Sequence, residues 1–261
     1  MKPLYLLLLI AALCIPVRAQ NPDSATATQF AVQSSSYAAK VRNFYVPKAP
    51  HFLTVDALEA IKIDSAPVAG SPQDIEDFKE LKEMQDTRTK EDCARATKEA
   101  ASGYESFFGD ISPFSKPLPK AVDAFFKHIR EDIGRAVYIE KKDYARERPF
   151  RRDPAIIPCI PLEDGFAYPS GHSALARVFA QALGDLVPAR RDEFLARADR
   201  IAHDRALGGV HHPSDTVAGE ALGDAVHALL LKNAIYNDEL KQAAAELPAS
   251  ATAVPAAAAA N

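Results

Sequence analysis

Apolar residues recur at intervals of three and four along most of this chain, and no segment alternates at the period of two that a half-buried strand requires. That periodicity constrains the fold more than any other feature. Between Pro117 and Lys142 the residues Leu118, Val122, Phe125, Ile129, Ile133 and Val137 fall on one stripe. Residues 170–187 repeat it with Leu175, Val178, Phe179, Ala182 and Leu186, and residues 189–206 with Phe194, Leu195, Ala198, Ile201 and Ala202. Ser71-Pro72-Gln73-Asp74 supplies an N-cap, a proline at the first helical position and an acid at the third, opening a helix with Ile75, Phe78, Leu81 and Met84 on one face. Thr89 caps a further helix through Cys93, Ala96 and Ala100, and a last one runs from Pro213 to about Leu231, with a further stretch to Leu247. Gly219 and Gly223, one turn apart on it, allow close helix packing. The expected fold is all-α, a single-domain helical bundle over residues 49–247.

The ends read differently. Residues 1–19 carry Lys2, an apolar run from Leu4 to Ile15, and small residues Val17 and Ala19 before Gln20. That is the pattern of a secretory signal peptide cleaved after Ala19. The apolar run is too short for the roughly 20 residues that span a bilayer. A periplasmic or secreted location follows, with no membrane span in the mature chain. Residues 20–48 are a poorly ordered N-terminal segment rich in Ser, Ala and Gln, and residues 248–261 a disordered Ala-rich tail. Removal of the leader takes away Lys2 and Arg18 and no acid, so the formal charge moves from −4 to −6. An acidic body lacks the basic face of a general nucleic-acid binder. Cys93 and Cys159 remain, enough for one disulfide in an oxidising compartment or for two buried thiols.

Three segments interrupt the amphipathic pattern. In the first, Lys141 and Arg148 are seven residues apart, so that on a continuous helix both would face one side. Their basic neighbours Lys142, Arg146, Arg151 and Arg152 are equally consistent with a solvated face. In the second, Pro169-Ser170-Gly171-His172 opens a helix. Ser170 is a natural N-cap, and Gly171 lets a ligand approach the free N–H groups of the first turn, a ready anion cradle beside His172. In the third, His211 and Asp215 are four apart, so that on one turn the carboxylate can fix the imidazole tautomer and leave the other nitrogen as a nucleophile. Arg205, six residues earlier, offers a guanidinium for an anion. The adjacent His211 and His212 point apart on a helix and lack a matching carboxylate or Cys cluster, so a zinc site is a weak reading. Two histidines, an aspartate, three cations and a helix-start cradle are the parts of metal-free phosphoryl transfer, which depends on positioning and on neutralising charge.

With these residues in place, the chain resembles the phosphatidic acid phosphatase type 2 superfamily, which includes vanadium haloperoxidases. The signature has three parts, K-x6-RP, PSGH and SR-x5-H-x3-D, and all occur here in order. Asp204 departs from it, standing where the family has Ser, which puts fine positioning in doubt. Within the superfamily the chain is most similar to bacterial class A nonspecific acid phosphatases, soluble secreted enzymes of about this size. The resemblance implies a helical bundle of the acid phosphatase and vanadium haloperoxidase type. It also implies a secreted acid phosphatase that hydrolyses phosphate monoesters (nucleotides, sugar phosphates, aryl phosphates) through a phosphohistidine, with no metal or cofactor and with inhibition by vanadate. Carried over by position, it makes His211 the nucleophile, with His212 as its rival, Asp215 its orienting partner and His172 the acid. Lys141, Arg148, Arg205, the Ser170 hydroxyl and the Ser170 and Gly171 N–H groups hold the phosphate. Homo-oligomerisation follows from the resemblance alone. The alternative within the superfamily is a lipid or polyprenyl (di)phosphate phosphatase.

Overall fold

A computed structural model describes residues 47–249, so the signal peptide, most of the 20–48 segment and nearly all of the Ala-rich tail lie outside the described residues. The described residues fall within one compact unit and, apart from turns and loops, are helical. In chain order the α-helices are α1 (Val55–Glu59), α2 (Pro72–Thr87), α3 (Lys90–Glu99), α4 (Tyr104–Phe108), α5 (Lys120–Tyr144), α6 (Pro149–Arg152), α7 (Gly171–Leu186), α8 (Arg191–Leu207), α9 (Pro213–Leu230) and α10 (Ala234–Ala245). A 3-10 turn at Pro188–Arg190 leads into α8.

Helix α7 is the centre of the bundle, packed by α5, α8 and α9. Its sequence explains the position: eleven of its sixteen residues are buried, nearly all of them Ala, Leu, Val, Gly and Phe. A helix apolar almost all round has no solvent face to offer. Small residues let its neighbours approach closely. A methyl group at Gly219 of α9 would lie 2.5 Å from the Ser170 carbonyl oxygen, and one at Gly223 would lie 2.8 Å from that of Ala174. The contact between α9 and the start of α7 therefore admits no side chain at either glycine. Phe107, Phe108, Phe125, Phe126, Phe179 and Phe194 fill the adjoining core between α4, α5, α7 and α8. Burial stabilises by about 1.5–3 kcal/mol for each such ring.

Several helix ends follow the capping chemistry of the sequence. Ser71 accepts from the Asp74 N–H, Thr89 and Asp92 form a reciprocal capping box, and Ser170 accepts from the Ser173 N–H. Other boundaries differ from the periodic reading. Helix α5 begins at Lys120, not at Pro117, with Pro119 as its N-cap. The stretch beyond Leu231 is a separate helix, α10, capped by Asn233. On α2 the buried residues are Asp74, Asp77 and Leu81, while Ile75 is 61% exposed. Leu81, with Phe78 and Met84 packed beside it, turns inward as the apolar stripe requires, and Asp74 and Asp77 are buried with it. Cys93 and Cys159 are joined by a disulfide, with Cα atoms 5.7 Å apart, that ties α3 to the loop between α6 and α7. Among the described residues no helix is long and apolar enough to cross a membrane.

Candidate active site

The three chemistry-bearing segments meet at the ends of α5, α7 and α9. Lys141 lies in the last turn of α5, which stops at Tyr144 where Ala145 takes a left-handed conformation (φ 46°). Lys141 and Arg148 are thus not on one continuous helix. The chain reverses, and Arg148 is the N-cap of α6. Arg205 is in the last turn of α8, and His211 follows in the short connection to α9, whose N-cap is His212.

Arg148 is fixed by carbonyls, donating through Nε to Gly165 (3.1 Å) and through Nη1 to Val210 (2.9 Å). The same Nη1 lies 2.9 Å from His211 Nε2. A guanidinium can only donate, so His211 Nε2 is the acceptor and its proton resides on Nδ1. That Nδ1 faces Asp215 Oδ2 at 3.5 Å, too long for a hydrogen bond, and has no other partner. The carboxylate oxygen is instead occupied by His212, through its backbone N–H (2.7 Å) and Nδ1 (2.9 Å). His212 Nε2 accepts from Arg152 Nη1 at 3.0 Å. Both rings are buried, but only His211 turns its Nε2 toward the Lys141, Arg148 and Arg205 side of the site. Burial and the neighbouring Arg148 push the His211 pKa well below its ordinary value, leaving a neutral imidazole.

His172, in the first turn of α7, donates from Nε2 to the Ala100 carbonyl (3.3 Å) and points Nδ1 at Glu163 Oε1 (3.5 Å). Burial, then Arg205, lowers its pKa to about 4. Lys141 Nζ bonds the carbonyls of Phe166 and Ala167, and burial, then Arg148, lowers its pKa to about 7. Ser170 is fully buried. Its Oγ accepts from Ser173 Oγ (2.9 Å), and its backbone N–H is spent on the Asp215 carbonyl (2.8 Å). The expected phosphate contact from the Ser170 N–H therefore gives way to a tie between α7 and α9. The N–H groups of Gly171 and His172, in the first turn, have no acceptor within the helix.

Four features went unread in the sequence. Arg146, one of the cations equally consistent with a solvated face, is buried and bridges Asp215 Oδ1 (2.6 Å), Asp77 (2.8 Å) and Asp74 (2.9 Å). Arg152 binds Asp74 at 2.6 Å. Asp204 faces away from the cluster and takes a two-pronged contact from Arg95, at 2.6 and 2.9 Å, which ties α8 to α3. Glu163, from the loop before α7, places its carboxylate among Arg148, Arg205, His172 and His211. The two carboxylates three apart on α2 were the available signal for the Arg146 network. Nothing in the local sequence marks Glu163.

Every site residue discussed from Lys141 to Asp215 lies inside residues 128–238, which match the sequence model of the PAP2 superfamily. The chain is 26% identical over 168 residues to a non-specific acid phosphatase of Providencia stuartii, covering 61% of this chain and 67% of that one. It is 40% identical over 57 residues to a lipid A 1-phosphatase of Rhizobium etli, covering 22% of this chain and 25% of that one. A bacterial vanadium-dependent chloroperoxidase in its apo form aligns in structure with a TM-score of 0.47 at 14% identity, over 77% of this chain and 58% of that one. Residues 128–238 carry a PAP2 superfamily domain, with the K-x6-RP, PSGH and R-x5-H-x3-D residues in place within it.

Proposed function

We propose that this protein is an exported phosphatase that hydrolyses phosphate monoesters through a phosphohistidine at His211. The observation that carries the reading is the convergence of Lys141, Arg148 and Arg205, from three separate elements, beside a neutral imidazole whose Nε2 faces them. His211 Nε2 attacks phosphorus as the ester P–O bond breaks. The three cations and the α7 N-terminus neutralise the charge spread over the equatorial oxygens. Asp215 stabilises the Nδ1–H side of the ring as positive charge develops, and the 3.5 Å contact shortens with substrate bound. His172, protonated on Nδ1, gives that proton to the leaving alkoxide. It then takes one from the water that cleaves the N–P bond, releasing inorganic phosphate. The charge of a bound dianion raises the His172 pKa from about 4 toward the working range.

The Cys93–Cys159 disulfide supports an oxidising compartment, in keeping with the leader-like residues 1–19. The identity to a lipid A 1-phosphatase favours a second reading, in which the ester is a lipid phosphate. The test is hydrolysis of a chromogenic aryl phosphate by the purified protein at about pH 5–6, just below the ordinary histidine pKa, with EDTA present and with and without vanadate. Vanadate-sensitive turnover in EDTA is the expected result. No turnover of soluble esters, with turnover of detergent-dispersed lipid phosphates, would transfer the function to the second reading.

A further inference from the structure

We propose that Glu163 is a built-in occupant of the anion site: in the free protein its carboxylate holds the place of the phosphoryl group, and substrate binds by displacing it. This rests on the phosphatase reading above and assigns a role to a residue outside the superfamily signature.

Glu163 Oε2 lies 2.7 Å from Arg148 Nη2 and 4.0 Å from His211 Nε2. Oε1 is hydrogen-bonded to Arg205 Nη2 and stands 3.5 Å from His172 Nδ1. These four partners are the residues to which phosphate binding and transfer are assigned here, and they come from four different parts of the fold. Both carboxylate oxygens thus sit where phosphoryl oxygens would sit. A phosphate could not reach Arg148, Arg205 and His211 Nε2 together while Glu163 remained.

The fit is that of a weaker ligand. A carboxylate has two oxygens and one charge, and it leaves Nε and Nη1 of the fully buried Arg205 without a partner. Lys141 spends its ammonium on the Phe166 and Ala167 carbonyls. A phosphate dianion has an oxygen and a charge to spare for these groups. Burial would raise the Glu163 pKa, but Arg148, then His172 and Arg205, outweigh it and hold the group well below the ordinary carboxylate range, so the occupant is an anion.

The segment that carries Glu163 is built to release it. The chain is tied at Cys159, by the disulfide and by its N–H to the Gly208 carbonyl (3.1 Å), and again from Gly165 to Ala167, where the Gly165 carbonyl accepts from Arg148 Nε (3.1 Å), the Phe166 carbonyl accepts from Lys141 Nζ, and the Ala167 N–H donates to the Arg146 carbonyl (2.7 Å). Between these ties Pro161, Leu162 and Asp164 are exposed and in no regular element, while Glu163 points inward, its side chain 25% exposed. Rotation of one side chain into solvent frees the site without moving a helix. Such an occupant weakens binding of any anion at the site, inorganic phosphate as product included, because each must displace it.

The experiment measures binding of inorganic phosphate and of orthovanadate by calorimetry to the wild type, Glu163→Gln and Glu163→Ala, with EDTA present. The proposal expects each variant to bind both anions at least about tenfold more tightly, about 1.4 kcal/mol. It also expects KM for an aryl phosphate to fall with Kd, and phosphate to raise the variants' Tm more than that of the wild type. Equal or weaker anion binding by folded variants would overturn it, since Glu163 would then be supporting the cations and not competing for them. If a variant fails to fold, a structure of the wild type with vanadate decides: Glu163 displaced into solvent supports the proposal, and Glu163 still bridging Arg148 and Arg205 overturns it. Binding of neither anion to wild type or variants would overturn the phosphate reading of the site as well, which separates the two failures.

Discussion

Two buried ionic networks meet at Asp215, and they are built to opposite ends. Behind His211, the guanidinium groups of Arg146 and Arg152 face three carboxylates, Asp74, Asp77 and Asp215, with contacts of 2.6–2.9 Å throughout. Ser214 adds its hydroxyl to Asp77 at 2.5 Å and its N–H at 3.1 Å, closing the set. In front of His211, three cations face one carboxylate, and two nitrogens of the buried Arg205 have no partner. The rear network holds more negative than positive charge and pairs all its groups but one donor, Arg146 Nε. The front network carries a surplus of positive charge and unmet donors. A buried charge left short of partners is costly, so the front arrangement persists because the surrounding fold holds it, and an anion relieves it. His212 belongs to the rear network and His211 to the front one, which gives two adjacent histidines different environments.

The largest effect is expected at the proposed nucleophile. His211→Ala is expected to lower kcat for an aryl phosphate by about 10⁴-fold or more, in line with removal of other nucleophiles. His212→Asn, in the rear network, should lose far less activity and instead lower the Tm. Steady-state kinetics and thermal unfolding of the pair decide it. Equal losses of kcat would erase the distinction between front and rear.

Arg205→Ala comes next. Loss of a charge-neutralising arginine from phosphoryl transfer costs about 10³-fold or more in rate, with little change in Tm, because the folded protein already leaves two of its nitrogens unpaired. Arg146→Met should show the reverse balance. It strands Asp74, Asp77 and Asp215 together, and breaking a buried ion pair by removing one partner costs about 3–5 kcal/mol of stability. Denaturant unfolding and kcat measured on both variants sharpen the contrast.

The acid side of the rear network gives a smaller, pH-dependent effect. Arg152, Arg146 and the Gly70 N–H together outweigh burial and hold the Asp74 carboxyl far below its ordinary value. A carboxyl depressed on folding adds stability above its unfolded pKa of about 4, and that stability is lost as pH falls below it. Asp74→Asn should therefore flatten the dependence of Tm on pH between about 4 and 2. In front, the alkaline limb of kcat/KM is expected near pH 7, where Lys141 loses its proton. Glu163 raises the Lys141 pKa, so Glu163→Gln should move that limb to lower pH.

Much of the architecture was legible because it rests on short-range rules. The Ser71, Thr89 and Ser170 caps, the stripe of α5 and the glycine contacts of α9 each depend on residues within a few turns of one another. The signature residues were equally legible, since Lys141, Arg148, His172, Arg205, His211 and Asp215 stand at fixed spacings. What stayed hidden depends on distant partners. Arg146 reads as a surface cation until α2, some seventy residues upstream, brings Asp74 and Asp77 against it. Asp204 reads as a defect until Arg95, 109 residues away, pairs with it. Spacing also misplaced the His211–Asp215 contact. It assumed a shared helical turn, whereas His211 precedes α9 and the carboxylate's nearer partner is His212.

The proposed phosphohistidine lies on His211 and not on its neighbour His212. Rapid quenching of a reaction with an excess of isotopically labelled phosphate ester, followed by alkaline peptide mapping, reads this directly. The expected result is an acid-labile, alkali-stable label on the peptide at His211, absent from His211→Ala and retained in His212→Asn. A label on His212, or full turnover by His211→Ala, would contradict it.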